Sequence, residues 1–256
     1  MVPVTRVARS KGCLGAVVAL LIASGPGLGA TSRSARIGGY DQRGVGALRP
    51  ELRQSWRARL VVPTRSHLGA GFGTPPGPMV QADGPYAGGA QVFLVLEARR
   101  AQGGSRWFRV LLPSRPNGQA AWLPETSLRV ERNPWRIRVL VAARRVDLIR
   151  AGHVLASWKA AVGKSAYPTP TGRFAISEIV PQLNGGGVFG PVVLTLTAHS
   201  NTLSDFDGGD GRVALHGTNQ PALLGTAASH GCVRLPNDAV RRIAKVAPPG
   251  TPVTVA

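Results

Sequence analysis

Two short stretches, Leu215-His216-Gly217-Thr218-Asn219-Gln220 and Ser229-His230-Gly231-Cys232-Val233-Arg234, bring together residue types that could do chemistry. A cysteine nucleophile needs a thiolate at working pH, a base to shuttle its proton, and N–H donors for the oxyanion. Here two histidines are near in sequence, Gly231 lets backbone approach a carbonyl closely, and Arg234 adds positive field that favours the thiolate. Cys232 follows His216 by sixteen residues, enough for a strand end and a long loop to fold back so that the two meet. His230, two residues from Cys232, could flank the sulfur instead. The same three side chains could ligate zinc with water in the fourth position. The spacing of His230 and Cys232 makes that closure awkward, and no carboxylate in the motif would orient a ligand. Taken singly, a cysteine packs in a core and a histidine ends a strand; only the joint pattern is specific.

The elements that must position these residues are short strands. Trp135, Ile137, Val139 and Val141 alternate with Arg136, Arg138 and Leu140, as in a half-buried strand. Further strands are expected around 154–162, 173–178, 192–198 and 212–216, with a turn at Thr169-Pro170-Thr171-Gly172. Asn237 is a candidate N-cap for a short helix whose apolar Val240, Ile243, Ala244 and Ala247 recur at spacings of three and four, stopped by Pro248-Pro249-Gly250. Upstream, apolar runs at 60–62, 92–96, 107–112 and 120–123 alternate with turn-rich segments at 71–78, 100–105 and 114–118, the pattern of a small β-barrel or meander. His67 and His153 fall in loop-like contexts. Asp205, Asp207 and Asp210 alternate as calcium ligands do, but the later bidentate Glu is missing, so a solvated turn is the expectation. Gly185-Gly186-Gly187 is either a flap over the site or an ordinary hairpin loop.

The pattern His216-Gly217-Thr218, eleven residues, Ser229-His230-Gly231-Cys232-Val233-Arg234, then Asn237, resembles the signature of the bacterial L,D-transpeptidases of the YkuD type. The similarity takes in Val162-Gly163 and Thr169-Pro170-Thr171-Gly172-Arg173-Phe174, and runs to Gly250-Thr251-Pro252-Val253. It covers roughly 135–256. The preceding region resembles, more loosely, the Src-homology-3-like barrels that sit beside such domains. The resemblance implies a mainly β protein: a small barrel at 56–131, then a β-sandwich-like catalytic domain with one short helix at 134–256.

It also implies a reaction. A cysteine attacks the carbonyl on the N-terminal side of a D-alanine in a peptidoglycan stem peptide, D-alanine leaves, and an amine or water resolves the thioester, with no metal or organic cofactor. Cys232 would be the nucleophile and His216 the base, with the Gly217 carbonyl orienting its ring. The N–H groups of Gly231 and Cys232 would bind the oxyanion, and Ser229 and His230 would shape the pocket. Arg234 would hold the nucleophile loop or a substrate carboxylate. His199 stands where many relatives carry a tyrosine, so a substrate-facing role there implies an altered pH profile. Hydrolysis by the same site, as an L,D-carboxypeptidase, and a non-catalytic wall-binding module are the alternatives.

Composition bounds the setting. The chain of 256 residues carries 31 Lys+Arg against 12 Asp+Glu, with only four lysines, and no stretch after residue 30 is apolar enough to span a bilayer. Two cysteines, Cys13 and Cys232, exclude a disulfide scaffold. Arg6, Arg9 and Lys11, the apolar run at 14–23 and the small residues after it make residues 1–30 an export signal, or an uncleaved membrane anchor, followed by a linker at 31–55. An exported chain of this charge meets the anionic cell wall. Its arginines lack the interleaved aromatics of a nucleic-acid track.

Overall fold

A computed structural model describes residues 54–256 apart from 207. The expected export segment and all but the end of the expected linker lie outside the described residues. Strands β1 (Ser55–Leu60), β2 (Thr64–His67), β3 (Pro76–Val80), β4 (Val92–Arg100), β5 (Arg106–Leu111), β6 (Ala120–Pro124) and β7 (Leu128–Asn133) form one antiparallel sheet in the order β3-β2-β6-β5-β4-β1-β7. Alternation builds it: Trp56, Ala58 and Leu60 of β1 face inward and Arg59 outward. The sheet rolls around one core, because Val80 of β3 shares a cluster with Leu128 of β7.

The first strand lies earlier than the apolar run at 60–62, since Pro63 ends it and leaves Val62 exposed. The supposed turn at 71–78 runs into β3, whose two prolines are tolerated because β3 is an edge strand. His67 is no loop residue. It is buried at the end of β2, edge-on to Phe72 and Trp107.

The second half holds β8 (Trp135–Leu140), β9 (Arg145–Arg150), β10 (His153–Lys159), β11 (Val162–Gly163), β12 (Gly172–Pro181), β13 (Val192–His199), β14 (Arg212–His216), β15 (Ala227–Ser229), β16 (Val233–Arg234), α1 (Asn237–Val246) and β17 (Pro252–Val255). Eight strands run in the order β10-β9-β8-β17-β12-β13-β14-β16, and β11 pairs with β15. Strand β12 makes the arrangement sandwich-like. Its first residues pair with β17, its last with β13, and the register shifts between Ile176 and Glu178. One core results, joining Ile137 and Leu148 to Leu194, Leu196 and Leu215.

Helix α1 seals that core with Ala239, Val240 and Ile243. Its cap differs from expectation. Pro236 holds the N-cap position with no side-chain cap bond, and Asn237 Oδ1 instead accepts the backbone N–H of Thr218 at 2.9 Å. Asn237 therefore ties the helix start to the chain just after His216.

The two sheets meet through Leu94, Leu111 and Ala175, which form a shared apolar cluster. Asn133 Nδ2 donates to Thr251 Oγ1 at 2.9 Å across the same boundary.

Candidate active site

Strands β14 and β16 position the chemistry. They run parallel in register, with Leu215 opposite Val233 and His216 opposite Arg234, so the strand end at His216 lies beside the chain leaving Cys232. His216 and Cys232 line one cavity of about 230 Å³, with Phe189, Arg212 and Ser229 on its wall. A second cavity of about 330 Å³ adjoins it, sharing Phe189, Phe206, Arg212 and Cys232 and adding Tyr86 from the loop between β3 and β4. Cys232 is part-exposed there, with Sγ 4.0 Å from the Arg212 carbonyl.

The His216 ring is buried, and its Nδ1 lies 2.7 Å from the Gly217 carbonyl oxygen. A carbonyl only accepts, so Nδ1 carries the proton and Nε2 keeps a lone pair. The Gly217 carbonyl is held in turn by crowding at its Cα. A Cβ on Gly217 would sit 2.1 Å from Asn237 Oδ1 and 2.9 Å from Pro191 Cδ. Gly190 packs against the same atoms at φ +66°, where a Cβ would lie 2.6 Å from Gly217 Cα. Asn237, Gly190 and Phe189, whose ring lies edge-on to the imidazole at a centroid distance of 5.2 Å, thus fix the histidine, and of the three only Asn237 stood in the sequence pattern.

The charge state differs from the expected resting thiolate. Burial depresses His216 to about 4, helped by the Arg234 charge and opposed by the carbonyls of Gly217 and Phe189. Burial likewise raises the Cys232 thiol, and the Arg234 charge that was expected to favour the thiolate is outweighed. At neutral pH the resting pair is therefore thiol and neutral imidazole.

Ser229 does more than shape the pocket. Its Oγ donates to the Cys232 carbonyl at 2.5 Å and accepts from Gly231 N–H at 3.1 Å. That bond occupies the Gly231 N–H expected at the oxyanion and leaves the Cys232 N–H as the candidate donor. Gly231 itself sits at φ +119°, a conformation side chains resist. The His230 ring is exposed between Tyr167 and Phe206, at centroid distances of 5.0 and 5.6 Å. It lies on the cavity rim and not on the sulfur's base side. Arg234 Nη1 reaches Gln220 Oε1 at 3.3 Å, while its Nε is buried without a hydrogen-bond partner among the described residues.

His199 is placed differently from a substrate-binding residue. It is 2% exposed, lines neither cavity, and its Nε2 lies 3.0 Å from Asp210 Oδ2. Burial and then the Arg212 charge lower its pKa, so the contact is a neutral N–H donated to a carboxylate, not an ion pair. Asp210, taken with its neighbours as a solvated turn, has structural partners in His199 and Arg212. The triple-glycine stretch lies in the 3-10 segment Leu183–Phe189, whose Val188 and Phe189 reach the first cavity.

Residues 134–255 match the YkuD family of L,D-transpeptidase catalytic domains. Over 122 residues the chain is 37% identical to the YkuD protein of Bacillus subtilis (strain 168), covering 48% of this chain and 66% of that one. The YkuD protein of Bacillus licheniformis is 34% identical over 122 residues, with the same coverage of 48% and 66%. The chain thus spans just under two thirds of the length of these relatives. Among solved structures, an L,D-transpeptidase from Mycobacterium tuberculosis H37Rv aligns over 65% of this chain and 90% of its own, at 14% identity and a TM-score of 0.41. The Enterococcus faecium L,D-transpeptidase aligns over 48% of this chain and 49% of its own, at 23% identity and a TM-score of 0.36.

Proposed function

We propose, from the match of residues 134–255 to the L,D-transpeptidase catalytic domain, that the chain cross-links peptidoglycan stem peptides through an acyl-enzyme on Cys232. The observation that carries this reading is the common cavity of Cys232 and His216, with the His216 Nδ1 proton committed to Gly217 and Nε2 left as a base. Cys232 Sγ forms a bond to the stem carbonyl carbon while its proton passes to His216 Nε2. The oxyanion that develops takes the Cys232 N–H. The carbon–nitrogen bond to D-alanine then breaks, His216 returns the proton to the leaving amine, and a thioester remains. The amine of a second stem attacks the thioester and gives its proton to His216, which returns it to the departing thiolate. No step calls for a metal or organic cofactor.

The two cavities give the sulfur two approaches. The first sheet is read as a Src-homology-3-like barrel, residues 1–30 as the export signal, and the cell wall or periplasm as the place of work. Incubating purified disaccharide-tetrapeptide with the protein separates the outcomes by mass spectrometry. Dimers with free D-alanine support cross-linking, tripeptide alone indicates hydrolysis by the same site, and unchanged substrate overturns catalysis in favour of wall binding.

A further inference from the structure

The loop at 200–211 between β13 and β14 walls both cavities, with Leu203 on the first and Phe206 on both. What holds that loop comes largely from the other sheet. Arg115, in the turn between β5 and β6, donates from Nη1 to the Ser200 carbonyl at 2.8 Å and from Nη2 to the carbonyls of Leu203 and Asp210 at 2.8 and 2.9 Å. Asn117 takes the His199 backbone N–H on Oδ1 and donates from Nδ2 to the His199 carbonyl, both at 2.8 Å, as a neighbouring strand would. Gly211 leaves room for this grip, since a Cβ there would lie 2.7 Å from Arg115 Nη2 and 2.3 Å from the Leu203 carbonyl.

The linkage continues to the nucleophile. Arg212 Nη2 donates to the Pro113 carbonyl at 3.2 Å, while the Arg212 backbone carbonyl faces Cys232 Sγ. We propose that the turn at 113–117 is a brace for the active site and that Arg115 and Asn117 are positioning residues, fixing the 200–211 loop against Cys232 for stem-peptide binding. The kinetic part of this inference rests on the reading of Cys232 as an acyl-enzyme nucleophile. The carbonyls of Ser200, Leu203 and Asp210 converge on the one Arg115 guanidinium. Without it the loop must be ordered when the substrate arrives, at a cost in affinity.

The test uses the full chain with Arg115→Met, Arg115→Lys and Asn117→Ala. Hydrogen exchange at 200–211 should rise in all three, with β8 and β9 unchanged. For D-alanine release from disaccharide-tetrapeptide, KM should rise and kcat/KM should fall by roughly ten- to a hundredfold, the scale of a small misplacement at a reacting centre. Arg115→Lys should recover little, because one ammonium cannot serve three divergent carbonyls. Alkylation of Cys232 by iodoacetamide should stay within about twofold of wild type. Unchanged exchange at 200–211 overturns the brace whatever the turnover. A uniform fall in melting temperature, alkylation and turnover overturns it as well, by reducing the residues to fold stability. Should wild type release no D-alanine, the function above fails, and the exchange data alone then decide whether the brace exists.

Discussion

At the level of single residues, the proposed reaction starts from a neutral His216 and a protonated Cys232 thiol lining one cavity. Because burial holds His216 at about 4, the base form is available across the neutral range, and activity is lost only as acid protonates the ring. The kcat/KM profile should therefore show its acid limb near pH 4 and not near the ordinary imidazole value. A limb near 6.5 would mean that the ring is solvated and the buried geometry wrong. The Gly217 contact gives a second test. Gly217→Ala drives a Cβ into Asn237 Oδ1 and Pro191, so the backbone must move and carry the His216 acceptor with it. The variant should lose about 1–3 kcal/mol of stability, typical of overpacking, and at least about tenfold in kcat. Wild-type turnover would show that the carbonyl of Gly217 does not set the ring. That Cys232, His216 and the glycine after the histidine form one cluster was legible in the sequence because their spacing is so particular. Gly190 and Phe189 were not, because they arrive from a loop more than 25 residues upstream and only the fold brings them to His216.

Among the elements, carboxylates tied to arginines account for what periodicity left hidden. Strand β9 keeps the alternation, with Val146 and Leu148 in the core, while Asp147 between them lies on the opposite face and is almost fully buried there by Arg138, Arg145 and Ser157. Burial pushes its pKa up, but Ser157, Arg138 and Arg145 outweigh that and hold it below the usual carboxylate range. Asp147→Ala should lower stability by about 1–3 kcal/mol, the scale of hydrogen bonds to a charged group, with little change in Cys232 chemistry. A thermal melt unchanged from wild type would contradict this. Asp210, half-exposed on the loop between β13 and β14, is likewise held down by its partners. Burial raises it, yet Arg212 and His199 bring it down to about 2. A depressed carboxylate adds stability above its unfolded value, near 3.8, and loses it as pH falls toward 2. The difference in melting temperature between wild type and Asp210→Asn should therefore shrink between about pH 4 and pH 2. A difference that stays constant over that window would remove the charge from the loop's support.

For the whole molecule, the sheets and the helix were legible where alternation and turn chemistry agree. Strand β14 falls on the expected 212–216, and the helix over 237–246 follows its apolar spacing. Strand β3 at the end of the turn-rich stretch and the bend of β12 were not, since edge strands tolerate proline and a register shift leaves no mark in the sequence. Nor did the sequence announce that the first sheet would reach the site. Glu178 of β12 accepts the backbone N–H of Ala87 at 2.8 Å, and Tyr86 beside it lines the second cavity. The proposed attraction of this chain, net charge +19, to an anionic wall is one that salt should weaken. The central claim, an acyl bond on one sulfur, is tested most directly by intact protein mass. After incubation with a carbapenem, wild type should gain the mass of one drug molecule, located to Cys232 by peptide mapping, while Cys232→Ala should gain nothing. An unmodified wild type after prolonged incubation, or equal labelling of the variant, would contradict it.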